Sequence, residues 1–189
     1  MTDVYSGQAV SSAHNANHET RITTLESKVF TLELAAAATV SVVKTADETV
    51  TTSTTFQNDD ELSLPFASNT TYLIECMLIA NVPTAADLKT CYTYTTGAGT
   101  RISTYATAPA LGVTGYEGSA FWWCYRNEST SPSSNLLLGG CGTASFYKPE
   151  GILVAGSNAG TITLQWTQVA SSGTNTVYKD SWLKLTPIS

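Results

Sequence analysis

The stretch "TITLQWTQV", Thr161 to Val169, decides the fold of this chain. Ile162, Leu164 and Trp166 share one face; Thr161, Thr163, Gln165 and Thr167 share the other. A period of two marks a β-strand with one side on a core and one side in water. A second run, "YLIECMLI", places Tyr72, Ile74, Cys76 and Leu78 on one side and Leu73, Glu75, Met77 and Ile79 on the other. Apart from Glu75 both sides are apolar, which predicts a strand buried on both faces. Further strands are predicted over 40–44, 48–56, 61–66, 88–95, 120–126, 136–138, 151–155 and 177–185. Turn-forming segments punctuate them: "ASNT", "TTGAGT", "SPSSN", "GSNAG" and "SSGTN". Many short strands of this kind predict a β-sandwich or jelly roll.

Two stretches interrupt the pattern. Residues 97–119, "GAGTRISTYATAPALGVTGYEGS", are rich in Gly and Ala and read as a long excursion from the sandwich. The neighbouring "FWWCYRNE" is dense in aromatics. It reads either as a core strand or as a platform on which sugars stack.

Composition narrows the function classes. The chain has 189 residues, of which 13% are charged, about half the usual roughly 25%. The net charge of -6 argues against nucleic acid, whose phosphates need a Lys/Arg footprint. The strongest basic candidates, Lys44 and Lys89, stand alone. No basic segment followed by an apolar run opens the chain, and "YLIECMLIANV" is too short to span a bilayer. The expectation is therefore a chain made in a cytoplasm, with no membrane partner. Of the four cysteines, Cys76, Cys91 and Cys124 fall in apolar strand-like runs, and none, Cys141 included, belongs to a CxxC pair. Buried reduced thiols are expected, although disulfides remain open.

The N-terminal region has a different period. Residues 1–13 are small and polar and read as an extended arm, ordered only on a partner. Over 14–37 the spacing predicts a helix with a narrow heptad seam. Asn15, Ile22, Val29 and Ala36 take the a positions; His18, Leu25 and Leu32 take d. Arg21 and Lys28 fall at g, Glu26 and Glu33 at e, so each cation can reach an anion on a neighbouring helix. About three heptads give a stalk of roughly 30 Å. Phe30 and Leu34 lie four apart on the outer face, where a bare stalk should carry no apolar pair. They predict that the last turns are covered by the β domain or by another protein.

"RITTLE", Arg21 to Glu26, is similar to the short trimerisation motif of coiled coils, Arg-apolar-x-x-apolar-Glu. In that motif the Arg stem covers an apolar layer and its head pairs with the Glu of the adjacent chain. A wider resemblance joins "VVKTADETVTTSTTFQNDDELSLPFASNTTYLIECMLI" and "TAADLK" with "GILVAGSNAGTITLQWTQVASSGTNTVYKDSWLKLTPI". These segments, within 42–89 and 151–188, resemble the β domain of small virion surface proteins of tailed bacteriophages, especially those of actinobacterial hosts. Residues 97–145 lie outside the likeness. The resemblance implies a homotrimer fixed to the particle by an N-terminal arm, with a short coil and an outward β head. Such proteins occur as capsid fibres or decorations and as minor tail proteins.

Other chemistry finds little support in the sequence. His14 and His18 would share a helix face, and three copies could offer them to a metal; a polar layer that sets register is the preferred reading. Asp59, Asp60 and Glu61 lack the turn Gly of a calcium loop and read as solvated charge ahead of a strand. There is no Gly-x-Ser-x-Gly, and both histidines sit on the helix. Asp87, Glu117, Glu128 and Asp180 are carboxylates that nothing in the sequence brings together. The sequons at Asn69 and Asn127 carry no weight without a signal peptide.

The expected architecture is mainly β: a short N-terminal trimeric coiled-coil helix, then an antiparallel β-sandwich or jelly-roll-like head. Residues 1–13 are the arm, 14–37 the helix and 38–189 the head. The expected function is a structural virion protein of a tailed phage, not an enzyme, with no cofactor and no metal. A capsid decoration or head fibre is favoured, because one anchor and one head come without a long shaft. Its partners are two further copies and, through Thr2, Asp3, Val4 and Tyr5, the major capsid protein or another virion protein. The alternative is a minor tail or receptor-binding protein that recognises host-surface glycan through Tyr105, Tyr116, Trp122 and Trp123.

Overall fold

A computed structural model describes residues 16–26, 38–94, 99–109, 111, 127–129 and 135–188. The chain divides into two units, Met1–Ala38 and Thr39–Ser189. In the first, residues 16–26 form helix α1. The second is built of antiparallel strands: β1 (Val40–Val43), β2 (Glu48–Thr51), β3 (Gln57–Phe66), β4 (Thr71–Asn81), β5 (Leu88–Tyr94) and β6 (Arg101–Thr107). They continue with β7 (Asn127–Ser129), β8 (Leu136–Leu138), β9 (Ala144–Val154), β10 (Gly160–Gln168), β11 (Thr174–Val177) and β12 (Trp182–Pro187).

The strands form two sheets. The larger runs β1-β12-β4-β9-β6-β7, with β11 pairing both β2 and β4; the smaller runs β3-β10-β5-β8. The chain passes repeatedly from one sheet to the other, as in a jelly roll. The alternation read from the sequence is the alternation of burial. Ile162, Leu164 and Trp166 of β10 face inward and are fully buried. They meet Ile74, Cys76 and Leu78 of β4 and Leu183 and Leu185 of β12 in one core. Tyr92 of β5 reaches across, and its hydroxyl donates to the carbonyl of Pro149 on β9 at 2.6 Å.

Pro149 sits in an interior strand, where a missing N–H would ordinarily break a ladder. The β4–β9 pairing lapses at this place: Ile74 faces Gly151 and Leu78 faces Tyr147, with no registered pairs between. The absent donor falls in that gap. At Gly151 a side chain would run into the backbone of Ser103 and Thr104 on β6. Glycine is therefore what lets β6 lie against β9.

Several expectations need correction. Residues 101–107, read as part of a loop excursion, form β6 and pair with β9 over their whole length. Their inward residues are Ile102, Thr104 and Ala106, too small and polar to give an apolar signal. Strand β9 starts at Ala144 rather than 151. The predicted 177–185 strand is two strands separated at 178–181 by a turn, in which Asp180 adopts a positive φ of 68°. Strand β4 is buried on its inner side but only half-buried on the other. The predicted strand 120–126 and Cys124 lie outside the described residues.

Cys76, Cys91 and Cys141 are buried free thiols. Burial pushes both Cys76 and Cys91 up from 9.0 to about 12. A thiol whose folded value is raised contributes fully below its unfolded value and loses that contribution as pH climbs through the folded one. Thermal stability of the head should therefore decline between about pH 9 and pH 12. A Cys76→Ala/Cys91→Ala variant melted across that range should show a shallower decline.

Candidate assembly surfaces

Every residue of α1 is exposed within its own chain. Its three threonines fold their hydroxyls back onto the preceding turn: Thr20 donates to Ala16 O, Thr23 to Glu19 O and Thr24 to Thr20 O, at 2.8–2.9 Å. These bonds satisfy the hydroxyls within the helix, an arrangement that slightly weakens and bends it. His18, Ile22 and Leu25 fall on the a/d seam, with Arg21 and Glu26 flanking it. Ile22 is 52% exposed and Leu25 is 59% exposed. Leu25 buried against a partner would gain about 1.5–3 kcal/mol. The remaining seam and flank positions (Asn15, Lys28, Val29, Leu32, Glu33, Ala36), the outer pair Phe30 and Leu34, and the anchor Thr2, Asp3, Val4 and Tyr5 lie outside the described residues. So do Tyr116, Trp122 and Trp123. Tyr105 is half-buried on the outward side of β6.

The first strand after the heptad region is fixed by a buried ionic knot. Lys44, just past β1, is 1% exposed, and its Nζ lies 2.7 Å from Glu48 Oε2 and 2.9 Å from Asp59 Oδ1. Asp59 is also buried, which corrects its reading as solvated charge. It accepts from the backbone N–H of Glu61 and Leu62 and from the indole Nε1 of Trp166 at 3.2 Å. Burial opposes the charge on Lys44, but the hydrogen bonds and charges of Glu48 and Asp59 outweigh it and hold the ammonium pKa above the ordinary value. Burial raises Glu48, and its bond to Lys44 offsets only part of that. Glu61 faces outward and accepts from the backbone N–H of Thr45 and Ala46 and from the Thr45 hydroxyl. Those bonds, the Thr45 hydroxyl first, hold its carboxyl below the usual range.

The two sheets present different outward faces. On the smaller, register places Ser63, Thr163 and Thr93 in one row, followed by Asn58 opposite Gln165. Ser63 and Thr163 share a hydrogen bond of 2.8 Å, as do Gln165 and Asn58. Such short polar groups suit water. On the larger sheet the row is Val43, Trp182 and Met77, and beside it Ile79 faces Phe146 and Leu73 faces Ile152. Val43 is 53%, Phe146 52% and Ile152 40% exposed. Between the apolar pairs, Lys184 Nζ lies 2.7 Å from Glu75 Oε2, and that contact holds the Glu75 carboxyl below its usual range. A shallow depression of about 390 Å³ lies on this face, lined by Met77, Thr107, Phe146, Lys148 and Glu150. The sequence signal for this face was the apolar second side of "YLIECMLI"; Val43, Phe146 and Ile152 gave none alone.

Among the described residues no group of three or more His, Cys, Asp or Glu is placed to hold a metal ion, and no helix is long and apolar enough to cross a membrane. No protein-family model matches the chain, and no curated protein matches it. Among solved structures it is similar to the VP2 subviral particle of infectious bursal disease virus, at 11% identity and a TM-score of 0.21 over 79% of this chain. The structure of the Gt strain of that virus gives 11% identity and a TM-score of 0.19 over 79% of this chain. The chain spans 41% and 40% of those chains, about two fifths of their length. At such scores the likeness does not bear on function.

Replacing Lys44 by Met leaves Asp59 buried without its cation. Breaking a buried pair in this way costs about 3–5 kcal/mol, so Lys44→Met should unfold in clearly less denaturant than the parent. An unchanged urea midpoint would show that Asp59 does not depend on Lys44.

Proposed function

We propose that the chain is a homotrimeric structural protein of a virion surface, a capsid decoration or fibre of a tailed phage. The observation that carries this reading is the exposed seam of α1. Ile22 and Leu25 stand open to solvent in the single chain, at heptad spacing and inside a complete Arg-Ile-x-x-Leu-Glu match. A helix that buries none of its residues 16–26 in its own chain has little to hold it except other copies of itself.

The division of labour follows from the energetics. A coil of about three heptads is marginal alone. Three heads held together raise the effective concentration of their helices, and the helices in turn set the heads in register. Arg21 of one copy and Glu26 of the next select the neighbour. Residues 1–13 attach the trimer to a capsid protein or another virion protein, and the sandwich faces outward. The hydroxyl-rich outer row of the smaller sheet suits a surface in permanent contact with water. The protein acts by holding and covering rather than by turnover.

Deleting residues 1–13 separates attachment from folding. The truncated chain should keep the circular dichroism and solution mass of the parent, yet fail to co-sediment with particles assembled in a host that supplies it. Truncated chains recovered on the particle at the parent's copy number would show that the arm is not the anchor.

A further inference from the structure

The outward face of the larger sheet carries exposed apolar residues beside its charges. Val43, Trp182 and Met77 form one row across β1, β12 and β4. Phe146 flanks Ile79 in the adjoining position, and Ile152 flanks Leu73 further along. The smaller sheet shows that this chain can make a polar outer face, with Ser63, Thr163 and Thr93 in its central row. Exposed apolar rows of the kind on the larger sheet mark contact surfaces.

We propose that the outward face of the larger sheet is a head-to-head contact, covered by a second copy of this chain. This inference rests on the trimer reading above and adds the surface through which the heads meet. Three observations select a second copy as the occupant. First, β1 is the edge strand of this sheet and begins at Val40. Only residues 37–39 separate it from Ala36, the last a position of the heptads read in the sequence, a span of at most about 14 Å. In the proposed trimer, chains joined along those heptads would start their β1 strands as neighbours, with Val43 on the outward side of the sheet. Second, the face carries both signs: Lys148 and Glu150 line its depression, beside the Lys184–Glu75 pair made within the chain. Such a surface can meet another copy without like-charge repulsion, although the whole chain carries a net charge of -6. Third, Phe146 lines the same depression as Lys148 and Glu150, so one cyclic contact can bury the first and pair the other two.

The test uses full-length chains, one half labelled with 15N, co-refolded as a mixture and treated with a zero-length carbodiimide. That reagent joins an amine to a carboxylate only where the two touch. The expected result is mixed-isotope links from Lys148 or Lys184 of one copy to Glu75 or Glu150 of another. A Phe146→Asp/Ile152→Asp variant should lose at least nine-tenths of these links while keeping the parent's circular dichroism. Thr163→Asp, on the opposite face, should keep them. A trimer whose mixed-isotope links come only from the heptad region of the sequence, at Lys28, would overturn the head contact and leave the trimer reading standing. A chain sedimenting as a monomer, with no mixed-isotope links, would overturn both. Links at these lysines that form only to another virion protein on assembled particles would also overturn the second-copy assignment.

Discussion

The head is organised around one buried carboxylate. On β10, Thr163 faces Ser63 and Gln165 faces Asn58, so a two-residue step on β10 is opposed by five residues on β3. The three extra residues form a long, irregular bulge, and Asp59 turns inward within it. There it must be satisfied, because an uncompensated buried charge costs several kcal/mol. Its partners come from three directions: the Lys44 ammonium beyond β1, the backbone of the bulge at Glu61 and Leu62, and the Trp166 indole on β10. Satisfying Asp59 therefore fixes the end of β1, the shape of β3 and the rotamer of the largest core side chain together. Gln57 and the N–H of Asp60 help hold Glu48, the second carboxylate on Lys44. The backbone of Lys44 is held as well: its N–H donates to Ser181 O and its carbonyl accepts from Asp180 N–H. That ties the same corner to the turn before β12.

In the proposed assembly this corner matters because β1 is the edge strand of the larger sheet. A loosely held β1 would let the first strand slide, and a one-residue slip would exchange the inward Val40 and Val42 for the outward Ser41 and Val43. The ionic knot, together with the β1–β12 register, prevents that. The rigid edge then presents Val43 beside Trp182 and Met77. Ile22 and Leu25 on α1 and Val43, Phe146 and Ile152 on the larger sheet are exposed in the single chain. In the proposed trimer, contacts through the two would support each other.

The period of two in "TITLQWTQV" was enough to give the sandwich, because Ile162, Leu164 and Trp166 are large and the intervening residues are Thr and Gln. Strand β6 was illegible for the opposite reason. Its inward positions are Ile102, Thr104 and Ala106, and its pairing is decided by β9, including the close approach at Gly151. Asp59 was misread because a carboxylate cluster looks solvated until a distant lysine is placed beside it. Lys44 showed its role only weakly, as a single charge ending the run "VSVV". The heptad spacing of Ile22 and Leu25 is visible in the sequence, and both residues are exposed in the single chain. The apolar second side of β4 was also visible, but its meaning depended on Phe146 and Ile152, which register alone brings alongside.

Sedimentation equilibrium of the full chain across micromolar concentrations tests the central claim most directly. A homotrimer predicts a single species at three times the 20.0 kDa chain mass. Replacing Ile22 and Leu25 by Asp should lower that mass. A parent chain that sediments at 20.0 kDa at every concentration would contradict the account.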